Sequence, residues 1–218
     1  MIIYKKFNIK KIHQKSIIAI GNFDGLHLGH QKVLNQAKLK AKKKNLKFGL
    51  ITFEPIPTMF FNKDIKYHRI NLIDQKIYHL KKFSLDFLII IKFNKLFSNI
   101  SADNFIKKKL VRKLKSKYIF VSRNFRFGKK RCGNIDMLKK FEKKYSYKTI
   151  VTIPYQKNNK IISSTLIRKN IVRGKVDNVQ KLLGKPWSIK GEVIKGEKRG
   201  RKIGFPTCNI KWDQYALP

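Results

Sequence analysis

Short, almost wholly apolar runs alternate with lysine-rich stretches of helical periodicity along most of this chain. No other feature constrains its fold as much. Ile17 to Gly21 is an apolar run closed by glycine, Phe48 to Phe53, Phe87 to Ile91 and Tyr118 to Val121 are similar, and Lys148 to Ile153 continues the pattern as a more polar strand. Runs that are apolar at nearly every position are the mark of strands buried on both faces. Between them, His30 to Lys44 carries Val33, Leu34, Ala37 and Ala41 at helical spacing with lysines opposite. Ile70 to Phe83, a stretch capped by Ser101 that runs to about Leu114, and Ile135 to Tyr145 read as further helices. Pro55 and Pro57 end the second strand. Strands alternating with helices predict an α/β fold, a mostly parallel sheet with helices on both faces. Such sheets bind ligands beyond the carboxyl ends of their strands.

Near Gly184 the pattern changes. Gly184, Gly191, Gly196, Gly200 and Gly204 come in quick succession with Pro186 and Pro206 among them, and short strands such as Ser188 to Ile194 follow. An all-β second domain is expected to begin near Lys185, giving units 1–184 and 185–218, the second too short for an independent barrel. The 218 residues, 42% hydrophobic, suffice for a real core. No apolar run reaches the ~18 residues of a membrane span. The longest, Phe87 to Phe93, is interrupted by Lys92, and the lysine-studded segment Met1 to Ser16 lacks the apolar core of a secretory signal. Cys132 and Cys208 form no metal-ligand pair. A soluble protein of a reducing cytoplasm is expected.

The net charge of +40 invites a nucleic-acid reading. Yet only nine of the 52 basic residues are Arg, and the lysines spread along the whole chain beside abundant Ile and Asn. AT-rich coding sequence imposes that mixture without selection for a ligand, so a nucleic-acid partner is not expected. A diffuse positive field still favours anionic, phosphate-bearing ligands.

Four segments carry chemistry. Gly21-Asn22-Phe23-Asp24-Gly25-Leu26-His27-Leu28-Gly29-His30 joins the first strand to the first helix. Gly21, Gly25 and Gly29 admit backbone amides close to a ligand. His27 and His30, three apart at a helix start, share a face with the positive helix end, an anion cradle suited to a five-coordinate α-phosphate. A metal site with Asp24 competes, but so tight a turn would need ligands from elsewhere. In Ile162-Ser163-Ser164-Thr165-Leu166-Ile167-Arg168, hydroxyls at a helix start and a guanidinium one turn on suit a phosphate. Alone this is an ordinary capped helix; with the histidines it completes a triphosphate site. In Asn124-Phe125-Arg126-Phe127-Gly128, aromatics interleaved with cations grip a flat ring and its phosphate, or simply pack in the core. In Gly200 to Asn209, the oxygens of Thr207 and Asn209 suit a hard Mg²⁺ that also holds ATP phosphates.

Together these residues closely resemble the bacterial bifunctional riboflavin kinase/FAD synthetase family from about Ser16 to the end. The matching elements are Gly-x-Phe-Asp-Gly-x-His-x-Gly-His, Thr-Phe-Glu-Pro at Thr52 to Pro55, Ser-Ser-Thr-x-Ile-Arg at Ser163 to Arg168, and Gly-Phe-Pro-Thr-x-Asn at Gly204 to Asn209. The resemblance implies a Rossmann-like nucleotidyltransferase domain followed by a riboflavin kinase-like β-barrel. It implies two reactions: riboflavin to FMN, and transfer of AMP from ATP to FMN with release of pyrophosphate. For the second it implies His27, His30 and Arg168 as catalytic groups. Gly21, Asn22, Phe23, Asp24, Gly25, Gly29, Ser163, Ser164 and Thr165 are implied around ATP, Asn124, Phe125 and Arg126 on the flavin side, and Thr207 and Asn209 as Mg²⁺ ligands of the kinase part.

Ile56, Ser122, Asn124 and Cys208 depart from the family's usual His, Gly, Asp and Ala. The family's kinase domain continues past the Ala216-Leu217-Pro218 end with the Glu that activates the riboflavin hydroxyl, so this stretch is expected to support only FMN adenylylation. Three other readings compete. An adenylyltransferase for a pantetheine or nicotinamide nucleotide would lack the Gly-Phe-Pro-Thr-x-Asn segment. A class I aminoacyl-tRNA synthetase relative would carry a Lys-Met-Ser-Lys-Ser loop. A basic nucleic-acid-binding protein gives no reason for the two histidines.

Overall fold

A computed structural model describes every residue except Lys66, Asn158, Asn159, Lys198 and Asp213. Its centre is a six-stranded, wholly parallel sheet of β1 (Ile2–Tyr4), β2 (Ile17–Ile20), β3 (Phe48–Glu54), β4 (Phe87–Lys92), β5 (Tyr118–Ser122) and β6 (Lys148–Thr152), in the order β1-β4-β3-β2-β5-β6. The helices are α1 (Leu28–Lys44), α2 (Pro57–Phe61), α3 (Ile73–Lys81), α4 (Lys95–Ser98), α5 (Ala102–Asn104), α6 (Ile135–Lys140), α7 (Glu142–Tyr145), α8 (Ser164–Val172), α9 (Val176–Leu183) and α10 (Arg199–Lys202). Two short ribbons complete it, β7 (Gln156–Lys157) with β8 (Lys160–Ile161), and β9 (Glu192–Ile194) with β10 (Asn209–Lys211).

The strand side chains divide by parity, as the pleat requires. Ile18, Ile20, Ile51, Ile89, Ile119 and Val121 pack on one face against Phe105, Ile106, Leu110 and Leu138. Ile17, Ala19, Leu50, Leu88, Ile90 and Phe120 face the other way against Val33, Leu34, Ala37 and Ala41 of α1. All four residues of β2 are buried, which is why its sequence is apolar without alternation. From β2 the sheet grows to one side through β3 and β4, and the chain then returns to set β5 on the other side of β2. The strand order therefore reverses at β2 and β5, and a crevice opens beyond their carboxyl ends.

Several boundaries differ from the sequence expectation for identifiable reasons. Helix α3 starts at Ile73, not Ile70, because the Ile70 and Asn71 amides bond to the Asp24 carboxylate at 3.2 and 3.4 Å. The stretch capped by Ser101 begins as α5 and continues over Phe105–Lys113 as a π-helix, still burying Phe105, Ile106 and Leu110. The expected helix from Ile135 to Tyr145 is divided at Phe141, which ends α6 and precedes α7 with φ of −91° and ψ of −1°. Strand β1, within the lysine-studded terminus, pairs with β4 at the sheet edge. The region beyond Lys185 includes the helical turn α10 between its two strands.

That last region is stitched to the sheet domain. The amides of His68 and Arg69 both donate to the Gln214 carbonyl at 2.9 and 2.7 Å, and the Ala216 amide donates to that of Arg69 at 2.8 Å. Tyr215 is fully buried, its hydroxyl donating to Gln75 Oε1 at 2.6 Å and accepting from the Lys190 amide.

Gly49 of β3 lies opposite Phe87 of β4, and a Cβ there would stand 2.1 Å from the Phe87 ring. That ring is fully buried and stacked on His13 at 4.7 Å. Gly49→Ala is expected to cost about 3 kcal/mol of stability by overpacking, read as a lowered denaturant midpoint.

Candidate active site

The loop from β2 to α1 is built on unusual backbone. Phe23, Gly25 and Leu26 all have positive φ, near 49°, 77° and 50°. At roughly 1 kcal/mol or more for each non-glycine residue, this shape persists only because its surroundings fix it. At Gly25 the conformation favours glycine, and a Cβ would also meet Ile70 at 2.8 Å. Gly29 faces the His27 ring and the Ile162 carbonyl, and Gly21 faces the Phe23 ring. Of these glycines only Gly21 lines the adjoining cavity. Gly25 and Gly29 set the loop's packing.

His27 caps α1, its Nδ1 accepting from the His30 amide at 3.3 Å. This is why α1 begins at Leu28, two residues before the amphipathic pattern. An accepting Nδ1 requires a neutral ring protonated at Nε2. Burial, and then the Arg168 charge, lowers the His27 pKa to about 4. The His30 ring stacks on it with centroids 3.7 Å apart. Burial first, then His27 and the Lys76 ammonium, hold His30 well below the ordinary imidazole range. Its Nδ1 is buried with no partner among the described residues. At neutral pH the pair is two uncharged imidazoles. As pH falls below about 6.5, unfolded chains take up protons that folded His27 refuses until about 4. Stability is therefore expected to drop through that window, by about 3 kcal/mol from His27 alone, measurable as a denaturant midpoint at each pH.

Asp24 lies beneath the loop. Its carboxylate accepts from the Ile70 and Asn71 amides and from Arg168 Nη1 at 2.7 Å, which occupies it within the protein. Arg168 reaches across from α8 to Asp24 and does not line the cavity. Ser163 caps α8, its Oγ accepting from the Leu166 amide at 3.2 Å. The Ser164 hydroxyl donates to the Asp24 carbonyl at 3.1 Å and lines the cavity, and Thr165 is exposed. The two motifs expected to cooperate thus meet at Asp24.

The cavity, ≈ 580 Å³, opens beyond the carboxyl ends of β2 to β5. Gly21, Asn22, Phe23 and His30 form one end, and Asn124, Phe125, Arg126 and Lys130 form another. Phe125 and Phe127 stack at 5.4 Å, and both line it while Phe127 also belongs to the core. Sequence reasoning missed the wall between these ends, where Phe53, Phe61, Phe93 and Phe97 meet at centroid distances of 5.7 to 6.1 Å. It also missed Lys76, buried under the loop. Of the departures from the family pattern, Ser122 and Asn124 line the cavity and Ile56 is buried at the start of α2.

No acidic residue is among the cavity's described lining. Thr207 and Asn209 are exposed and lie outside it. No cluster of three or more His, Cys, Asp or Glu forms among the described residues. Two neutral oxygens fit Mg²⁺ only as an ion that keeps most of its ligands from water and nucleotide phosphates. No helix is long and apolar enough to cross a membrane among the described residues.

A family model for FAD synthetase matches residues 9–166, and one for riboflavin kinase matches residues 183–218. The bifunctional riboflavin kinase/FMN adenylyltransferase of Buchnera aphidicola subsp. Schizaphis graminum is 47% identical over 204 residues, 93% of this chain and 65% of that protein. The protein of the same description from Haemophilus influenzae is 37% identical over 211 residues, 97% of this chain and 68% of its own length. That from Escherichia coli strain K12 is 34% identical over 202 residues, 93% and 64% of the two lengths. A solved structure described as a macrolide-efflux protein from Streptococcus pneumoniae superposes with a TM-score of 0.84 at 28% identity, over all of this chain and 71% of the other. The chain thus spans 65% of the Buchnera protein's length, and its kinase region is a partial one. The kinase match includes Gly-Phe-Pro-Thr-x-Asn, the segment separating this family from adenylyltransferases for pantetheine or nicotinamide nucleotides.

Proposed function

Because the chain belongs to the bacterial bifunctional riboflavin kinase/FMN adenylyltransferase family, we propose that its 1–184 unit transfers AMP from ATP to FMN. The observation that carries this is His30, which lines a cavity with an aromatic wall and no acid among its described lining and stacks on the buried His27 at the start of α1. An oxygen of the FMN phosphate attacks the α-phosphorus of ATP. The bond from that phosphorus to the bridging oxygen breaks, and pyrophosphate leaves with the electron pair. The FMN phosphate is already an anion, so no general base is needed. Catalysis then rests on position and on donors aimed at the developing charge.

His27 Nε2–H and the α1 amides supply such donors, and His30 lies at the cavity's edge. Both imidazoles are neutral before substrate arrives, and a bound polyanion favours their protonated forms. Asn22, Phe23 and Ser164 lie against the nucleotide. The Phe93 and Phe97 wall, with Phe125 and Arg126, receives the isoalloxazine ring and its phosphate. In this reading Asp24 and Arg168 hold the loop to α8. Thr207 and Asn209 would hold Mg²⁺ in the kinase unit, 185–218, and an ion entering with the phosphates would supply charge neutralisation.

The test uses purified chain with ATP and Mg²⁺, offered FMN in one tube and riboflavin in the other. FAD from FMN alone is the expected result. No FAD from folded protein with FMN would overturn the reading, and FMN formed from riboflavin would overturn the restriction to adenylyl transfer.

A further inference from the structure

Lys76 is 1% exposed, the most deeply buried cation among the described residues. Its Nζ donates to the Asn22 carbonyl at 2.9 Å and approaches Thr52 Oγ1 at 3.5 Å. Around it stand two ion pairs, Asp24 with Arg168 and Glu54 with Arg69. Each carboxylate in this group already has its own guanidinium. Lys76 has no carboxylate partner among the described residues, so the cluster holds three cations against two anions.

A lysine is a poor choice for mere support here. The Asn22 carbonyl already accepts from Thr52 Oγ1 at 2.9 Å, so a neutral side chain at 76 would leave no orphaned group. Burying an ammonium without a counter-ion opposes folding, and burial does pull the Lys76 pKa down, against the fields of Asp24 and Glu54. The surplus charge sits directly behind Asn22 and close enough to His30 to lower that ring's pKa, and both residues line the cavity.

We propose that Lys76 is a positioning residue for a nucleoside triphosphate: its buried charge, delivered through the Asn22 carbonyl and the loop behind it, is the one that substrate phosphates neutralise. The ammonium is kept off the ligand but inside low-dielectric surroundings, where its field is screened less than a surface lysine's. This also separates Lys76 from the many solvated lysines of the chain, whose charge reaches the site only through water.

The inference rests on the adenylyl-transfer reading, and its test keeps the two apart. Lys76→Met removes charge and hydrogen bond, while Lys76→Gln removes the charge and keeps a donor. Binding of ATP, inorganic tripolyphosphate and adenosine is measured for both variants and the wild type, with melting temperatures. Both variants are expected to bind ATP and tripolyphosphate about tenfold or more weakly and adenosine within about twofold of the wild type. Lys76→Met is expected to melt at or above the wild-type temperature, because an uncompensated buried charge has gone. Equal loss of adenosine and tripolyphosphate binding, unchanged tripolyphosphate binding, or failure of both variants to fold would each make Lys76 a structural residue and overturn the proposal. A wild type that binds neither ATP nor tripolyphosphate would instead overturn the adenylyl-transfer reading on which it rests.

Discussion

His30→Ala is expected to slow FAD formation from FMN and ATP on the order of a hundredfold or more, with the fold intact. The size follows from removing one preorganised donor at a developing oxyanion, worth about 2.7–4 kcal/mol. The fold survives because His30 contributes little to it. The residue is half-buried, its Nδ1 has no partner among the described residues, and its ring packs on the Phe23 and His27 rings. His27→Ala differs, since it also removes the α1 cap, costing about 1 kcal/mol of stability besides activity. Steady-state rates with melting curves for both variants check the distinction. An His30→Ala enzyme with near-normal kcat would remove that ring from the chemistry.

Asp24→Ala is expected to be the most destabilising single change at the site, by about 3–5 kcal/mol. Asp24 is 2% exposed, and its loss strands three donors at once: the Ile70 and Asn71 amides and the Arg168 guanidinium. Since α8 and the 69–71 segment meet the histidine loop through that carboxylate, the cavity should loosen with it. Activity would fall because the site is no longer held. Asp24→Asn, which keeps acceptor geometry without charge, should fall between. Chemical denaturation of the three proteins gives the answer. A variant of wild-type stability with only a raised KM for ATP would place Asp24 on the nucleotide instead.

The contrast between these residues shows what the sequence could reveal. The parallel sheet was legible because β2, β3 and β4 are buried on both faces, and only continuous apolar runs survive there. The histidine motif was legible because its glycines and histidines are chemically costly at a strand-to-helix turn. The division of labour within it was not. Nothing in the spacing distinguishes a carboxylate aimed at ligand from one aimed at Ile70, a tertiary neighbour 46 positions on. The Phe53, Phe93 and Phe97 wall is hidden for a related reason, since aromatics at the ends of β3 and β4 and in the short α4 read as core. Lys76 is invisible among so many lysines, and its meaning lies wholly in burial. Strand β1 and Tyr215 escape notice because an edge strand of three residues and a lone buried tyrosine leave no periodic trace.

The central claim is that the bond between the α-phosphorus and the bridging oxygen of ATP is the one broken, with FMN as acceptor. Radiolabelled ATP tests this directly. With label in the α-phosphate and FMN as acceptor, the account predicts label in the flavin product and unlabelled pyrophosphate. With label in the γ-phosphate it predicts an unlabelled flavin and labelled pyrophosphate. Label passing from the γ-position into flavin, or no transfer of the α-label by folded enzyme, would contradict it.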